Sequence, residues 1–187
     1  MIKRLLFCIS YILLTAGCTS SVQVSKAQLE GVRQAAEKVL PYGAQVSVSV
    51  THSDIVIAAH LLEGHSADEN SPYVVGDYGT HDKLERLVRF RCAKILKSLV
   101  SEAQVVPDVK NFVIEARHGV RVTRVYGNAA ATPGSGIDEA MTIYIVKMPA
   151  SQLKDPQWPI LTDDQVMSRW REELDIIPSL KFSSAYF

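Results

Sequence analysis

The sequence predicts an α+β fold in which an antiparallel sheet is covered by helices, arranged as a two-layer sandwich. Three observations predict it. Valines alternate with serines over 44–50, apolar residues recur every three or four positions over 84–99, and capping-box patterns begin at Ser25 and Thr162. The 187 residues are 47% hydrophobic and their formal charges balance. This composition excludes a disordered chain, and three cysteines are too few for a disulfide scaffold.

The elements are expected in the order helix, strand, strand, helix, strand, strand, helix. Their predicted spans are residues 25–40, 44–50, 55–62, 80–103, 110–126, 141–149 and 162–178. Glycine and proline punctuate the stretches 63–79 and 127–136, which we interpret as loops.

The two strands predicted over 110–126 and 141–149 carry more specific expectations. The span 110–126 is either two strands joined by a turn at His118 and Gly119 or one long strand with a bulge at Gly119. In the following strand Met141, Ile143 and Ile145 should share the buried face, because side chains alternate along a strand.

The last helix begins at Thr162, whose capping partner is Gln165. It is expected to carry Val166, Met167, Trp170 and Leu174 on one face until Pro178. In the long helix, the spacing places Cys92 on the apolar face, where it should be a small buried core residue.

Residues 1–17 have the three parts of a secretory signal peptide: Lys3 and Arg4, an apolar stretch over 5–14, and small residues just before Cys18. The apolar stretch is too short to span a membrane, which takes about 20 apolar residues. We therefore expect the leader to be removed by cleavage.

The run Leu14-Thr15-Ala16-Gly17-Cys18 resembles the lipobox of bacterial lipoproteins, although Thr15 stands where leucine is usual. The resemblance implies that the Cys18 thiol is acylated and becomes the first residue. Lipid chains hold a soluble domain to a bilayer because each buried methylene contributes about 0.8 kcal/mol. The alternative is a plain signal peptide cut after Ala16 or Gly17, with a free Cys18.

The resemblance also implies a cellular location. Thr19 is not the aspartate that retains lipoproteins at the inner membrane, so we expect an anchor in the cell outer membrane with the domain facing the periplasm. In a monoderm source this becomes the outer face of the only membrane. Residues 18–24 would then be the lipidated tether and 25–187 a single domain.

Nucleic acid is not an expected partner. Loss of Lys3 and Arg4 with the leader changes the formal net charge from +0 to −2, and no aromatic-rich basic motif is present.

Two groups of side chains are candidates for function. The residues His60, His65 and His81 lie in an acidic stretch and could hold a divalent metal if the chain between them folded back. The long helix carries a mostly basic surface with two large apolar residues within it. Its members are Lys83, Arg86, Leu87, Phe90, Lys94 and Lys97. This surface either docks an acidic partner or is a solvated face whose apolar residues are covered by the chain's own tail.

The sequence favours a non-catalytic lipid-anchored envelope protein that binds other envelope proteins and needs no cofactor. A component of a secretion, conjugation or other envelope-spanning assembly would fit this description. Two alternatives stay open: a small metal-dependent enzyme or hydrolase using His60, His65 and His81, and a binding module for an anionic ligand or cell-wall polymer.

Replacing Cys18 by alanine should leave the protein unprocessed or soluble, because acylation at this thiol is the expected anchor. Metabolic labelling with a fatty-acid analogue, followed by membrane fractionation, measures this. A Cys18→Ala protein that still carries lipid and sediments with membranes would contradict the expected anchor.

Overall fold

The sheet has five strands, and the residues that form it belong to a mixed α+β fold. The computed structural model describes residues 22–41, 44–61, 81–106, 108–122 and 137–179. The strands are β1 (Val46–Thr51), β2 (Asp54–His60), β3 (Asn111–Val122), β4 (Ile137–Pro149) and β5 (Arg171–Asp175). The α-helices within these ranges are α1 (Lys26–Lys38), α2 (His81–Ser98), α3 (Val100–Val105), α4 (Ala150–Leu153) and α5 (Asp163–Met167).

The five strands lie side by side in their sequence order. Neighbouring strands are antiparallel except β2 and β3, which are parallel. Parallel neighbours require a crossover connection, and α2 and α3 belong to that connection. The prediction of a wholly antiparallel sheet is therefore wrong for this pair, because alternation along a strand carries no information about its direction.

The predicted hairpin at the start of the sheet is confirmed. The β1 valines lie on the half-buried face and its serines are exposed. Thr51 pairs with Asp54, so the turn contains only His52 and Ser53. His52 has a φ of 57°, the left-handed conformation that tight hairpin turns require.

Both predicted capping boxes are present. The Ser25 backbone N–H donates to Gln28 Oε1 at 2.9 Å, and the Gln28 N–H donates to Ser25 Oγ at 3.2 Å. The same exchange joins Thr162 and Gln165, at 2.8 and 3.3 Å. Each box satisfies backbone donors that the first turn of a helix leaves without intrahelical partners.

The apolar stripe of α2 enters the core as predicted. Every member of the stripe is fully buried: Leu84, Val88, Cys92, Ile95, Leu96 and Leu99. Burial raises the pKa of the Cys92 thiol well above its ordinary range. Cys92 is therefore an apolar core residue with little thiolate character.

The prediction of one long strand is confirmed by β3, but the bulge predicted at Gly119 is wrong. The irregularity in its pairing lies between Ala116 and Arg117, and not at Gly119. Ala116 pairs with Tyr144 and Arg117 with Thr142, so the extra residue is Ile143 in the neighbouring strand β4.

The bulge in β4 changes which side chains face the core. Tyr144, Val146 and Met148 are fully buried, whereas Ile145 is only half-buried. The prediction that Ile145 continues the buried face is therefore wrong, because the additional residue reverses the alternation from that point.

The predicted last helix is also wrong beyond its first turns. α5 ends at Met167, and Arg171–Asp175 forms β5, which pairs with β4. The spacing of Trp170 and Leu174 suits a helix, but pairing with β4 outweighs that local preference. The predicted element order therefore lacks the fifth strand, while the leader and the predicted loops 63–79 and 127–136 lie outside the described residues.

Candidate functional site

One side of α2 presents an aromatic ring between two cations. Arg86, Phe90 and Lys94 follow each other at intervals of four residues and so line up along the helix. The Phe90 residue is 43% exposed, and Lys94 Nζ lies 4.9 Å from the centre of its ring. Arg86 and Lys94 are both exposed. We call these three residues the Phe90 surface.

The other residues predicted for this surface have different positions. Leu87 is partly buried and packs against the core. Lys97 Nζ donates to the Leu161 carbonyl at 2.8 Å and to Asp163 Oδ1 at 3.1 Å, which attaches α2 to the start of α5. Lys83 is exposed on the first turn of α2. Arg86, Phe90 and Lys94 thus remain exposed together, whereas Leu87 packs against the core and Lys97 is bonded to Leu161 and Asp163.

A neighbouring arginine of α2 turns toward the sheet. Arg89 Nε donates to Glu85 Oε1 at 2.8 Å, and a second guanidinium nitrogen bonds Glu172 of β5. A third contact joins Arg89 to Asp175 Oδ2 at 3.6 Å. The guanidinium carbon lies 5.3 Å from the ring centre of Tyr144, which is cation–π geometry. One cation therefore links α2 to both β4 and β5.

Tyr144 completes this cluster. Its hydroxyl donates to Glu172 Oε1 at 2.8 Å, and its ring meets Trp170 edge-on with centroids 6.4 Å apart. Burial and the hydrogen bond to Glu172 raise the pKa of Tyr144. Burial alone would raise the pKa of Glu172, but hydrogen bonds from Tyr144 and Arg89 outweigh it and lower that pKa. We call these residues, with Glu85 and Asp175, the Arg89 cluster.

The Arg89 cluster holds β5 in place. Its three carboxylates surround a single guanidinium and all of them are at least partly buried. Sequence reasoning missed this role because Arg89 resembles the other basic residues of α2. The only local signal is the spacing of Glu85 and Arg89, four residues apart on the helix.

The predicted metal ligands fall only partly within the part of the chain that the structure describes, and the His81 side chain lies outside it. His60 ends β2 and is half-buried, where burial and the nearby Arg117 charge lower its pKa. His81 is the first residue of α2, and His65 lies outside the described residues. Among the described residues, no group of three His, Cys, Asp or Glu side chains could hold a metal ion.

A histidine that the sequence analysis did not select is buried in the middle of the sheet. His118 of β3 is only 6% exposed, and no described residue hydrogen-bonds its Nε2. Burial and, to a lesser degree, the charge of His60 lower the pKa of His118 to about 4. The alternation along β3 places it on the core face, with Ala116 and Ile114. It is therefore a neutral imidazole at ordinary pH.

The burial of His118 should make stability depend on pH. The unfolded chain takes up a proton as pH falls below 6.5, whereas the folded chain resists protonation until about pH 4. Stability is thus fully present above pH 6.5 and is lost as pH falls, by about 3 kcal/mol from this group. Urea unfolding of His118→Phe across this range should show a loss smaller by that amount.

The exposed turn residue His52 supplies the matched control, since His52→Asn keeps a residue that tolerates the left-handed conformation. This control should follow the wild-type pH profile. Equal profiles for His118→Phe and the wild type would refute the burial of a neutral imidazole at this position.

Comparison with known proteins assigns this chain to no family. No protein-family model, no curated protein and no solved structure matches it. Across the described ranges, every helix is too short or too polar to cross a membrane.

Proposed function

We propose that this chain is a lipid-anchored envelope protein whose α+β domain binds a protein partner without catalysis. The lipobox-like run ending at Cys18 supports the anchor. The outer membrane, with the domain in the periplasm, is the location that Thr19 favours. In this proposal the helices cover one face of the sheet as a two-layer arrangement, and α2 presents the docking residues.

The observation that carries the binding role is the exposed ring of Phe90 between two cations. Aromatic residues and arginine are enriched in the cores of protein interfaces, where a few of them supply most of the binding energy. A partner that covers Phe90 would remove its ring from water and bring acidic groups toward Arg86 and Lys94. The expected partner surface is therefore an apolar pocket with an acidic rim.

Two other basic residues of α2 are bonded within the chain and are not available to a partner. Arg89 and Lys97 are held by carboxylates of the same chain, so their charges are largely compensated within the domain. Arg86 and Lys94 are exposed, and no carboxylate of the described residues is seen to bond them. The docking charge is thus concentrated next to Phe90 rather than spread along the whole helix.

Reversing both cations, as Arg86→Glu with Lys94→Glu, should leave the fold intact and abolish partner association. Exposed charges usually alter stability by less than about 0.5 kcal/mol. Like charges placed against a partner cost several kcal/mol and also slow encounter. The measurement is capture of the full-length protein from solubilised envelopes, with its thermal unfolding followed in parallel.

The matched control reverses two exposed lysines elsewhere, as Lys26→Glu with Lys154→Glu, which changes the net charge equally. Phe90→Ala should weaken capture of a protein partner with little salt dependence, whereas capture of an anionic polymer should not depend on the ring. Retention of every co-purifying protein after both the charge reversal and Phe90→Ala would reject the proposal.

A further inference from the structure

The two outer strands of the sheet differ sharply in character. Four of the five residues of β5, in the segment REELD, are charged, and its pairing with β4 contains a register shift. The other outer strand, β1, has the sequence VSVSVT and pairs with β2 without any shift. It contains neither a charged residue nor a proline.

Proteins commonly protect outer strands with charges, prolines, bulges or covering elements, because their free backbone groups can pair with another strand. β5 has two of these protections, its charges and its bulge. β1 has no charge, proline or bulge of its own. The edge of β1 therefore lacks these three protections against pairing.

The backbone alternation shows which groups of β1 point outward. The His60 N–H donates to the Gln45 carbonyl at 3.0 Å, so residue 45 points toward β2. In an antiparallel pair every second residue points the same way. The N–H and C=O groups of Val46, Val48 and Val50 therefore point away from the sheet, and no described residue's backbone bonds them.

The segment that precedes α1 lies near one end of β1. A cleft of about 460 Å³ lies between residues 22–25, which precede α1, and Val50. The chain that enters α1 thus approaches β1 near Val50 without pairing with it in the described residues.

We propose that β1 pairs antiparallel with β1 of a second copy of this chain, around a two-fold axis at Val48. The stretch 46–50 is VSVSV, which has the same sequence in both directions. In this register Val46 lies opposite Val50 of the second copy, and Val48 lies opposite itself. Each of these three pairs exchanges two backbone hydrogen bonds, so the pairing satisfies every outward group of Val46, Val48 and Val50.

The self-complementary sequence is the reason for choosing a second copy over another protein. A two-fold interface requires that residue i meet residue j and that j meet i. Here each valine meets a valine on the half-buried face, and Ser47 meets Ser49 on the exposed face. No charge opposes a like charge, and the two sheets continue as one.

Charge substitution on the exposed face tests this pairing. Ser47 and Ser49 are exposed, so lysine at both positions should leave the monomer folded. In the dimer these lysines would lie directly opposite one another, which is destabilising. Two tagged forms of the full-length chain are co-expressed, one tag is captured, and the recovery of the other tag is measured.

Two wild-type copies should co-purify. Recovery of the second tagged form should fall about tenfold when both copies carry Ser47→Lys with Ser49→Lys. Glutamate at both positions in both copies should have the same effect. One lysine copy with one glutamate copy should restore recovery, because opposite charges then face each other. Absence of co-purification in the wild type, or lysine copies that associate as well as the wild type, would overturn the proposal.

A cysteine pair tests the register independently. Ser47→Cys in one copy and Ser49→Cys in the other would place the two thiols at a closely spaced antiparallel position, within reach of a disulfide. Oxidation should cross-link this mixed pair far more than two Ser47→Cys copies, which are offset along the strand. Equal yields would contradict the axis at Val48.

Discussion

The contact between the Arg89 guanidinium and three carboxylates is the constraint on which the C-terminal half of the fold depends. Glu85 belongs to α2, while Glu172 and Asp175 belong to β5. The three carboxylate side chains are 23–36% exposed, and a carboxylate that loses part of its hydration gains from a compensating charge or hydrogen bonds. Without Arg89 the three would repel each other and the attachment of β5 to α2 would weaken, leaving the pairing with β4 and the buried Ile177 to hold this segment. Pairing with β4 makes this segment a strand in place of the predicted helix, and the cluster attaches that strand to α2.

The same contact determines what α2 can offer to a partner. Because Arg89 turns toward Tyr144 and Lys97 toward α5, the basic residues of the helix separate into an inner set and an exposed set. Arg86 and Lys94 remain on the exposed side, next to the half-exposed ring of Phe90. Arg89 and Lys97 stabilise the domain itself. The binding role that we propose therefore falls to the two exposed cations, Arg86 and Lys94.

Local features of the chain were predictable because their causes are local. A capping box involves residues three positions apart, as at Ser25, and the alternation of β1 involves immediate neighbours. The buried stripe of α2 depends only on helical spacing. Of the candidate site, spacing correctly placed Arg86, Phe90 and Lys94 on an exposed side of α2.

Other features were not predictable because they depend on distant residues. The bulge at Ile143 exists because Ala116 and Arg117 of β3 pair with the residues on either side of it, and β5 exists because it pairs with β4. The partners of Arg89 in β5 lie more than 80 residues away along the chain, as the separation of 83 residues from Glu172 shows. The burial of His118 likewise follows from where β3 lies in the sheet. The neighbours of these residues along the chain carry no pattern that would reveal such distant contacts.

Hydrogen exchange of an Arg89→Met variant tests the central claim most directly, because it reports the protection of each backbone amide. The account predicts that amides of β5 and the Ile176 amide, which donates to the Ile143 carbonyl at 3.0 Å, exchange much faster. Amides of β1 and β2 should keep their protection, and Arg33→Met, which removes the Glu30 and Glu37 ion pairs of α1, should leave β5 unchanged. Wild-type protection of β5 in Arg89→Met would contradict the claim that Arg89 holds this strand.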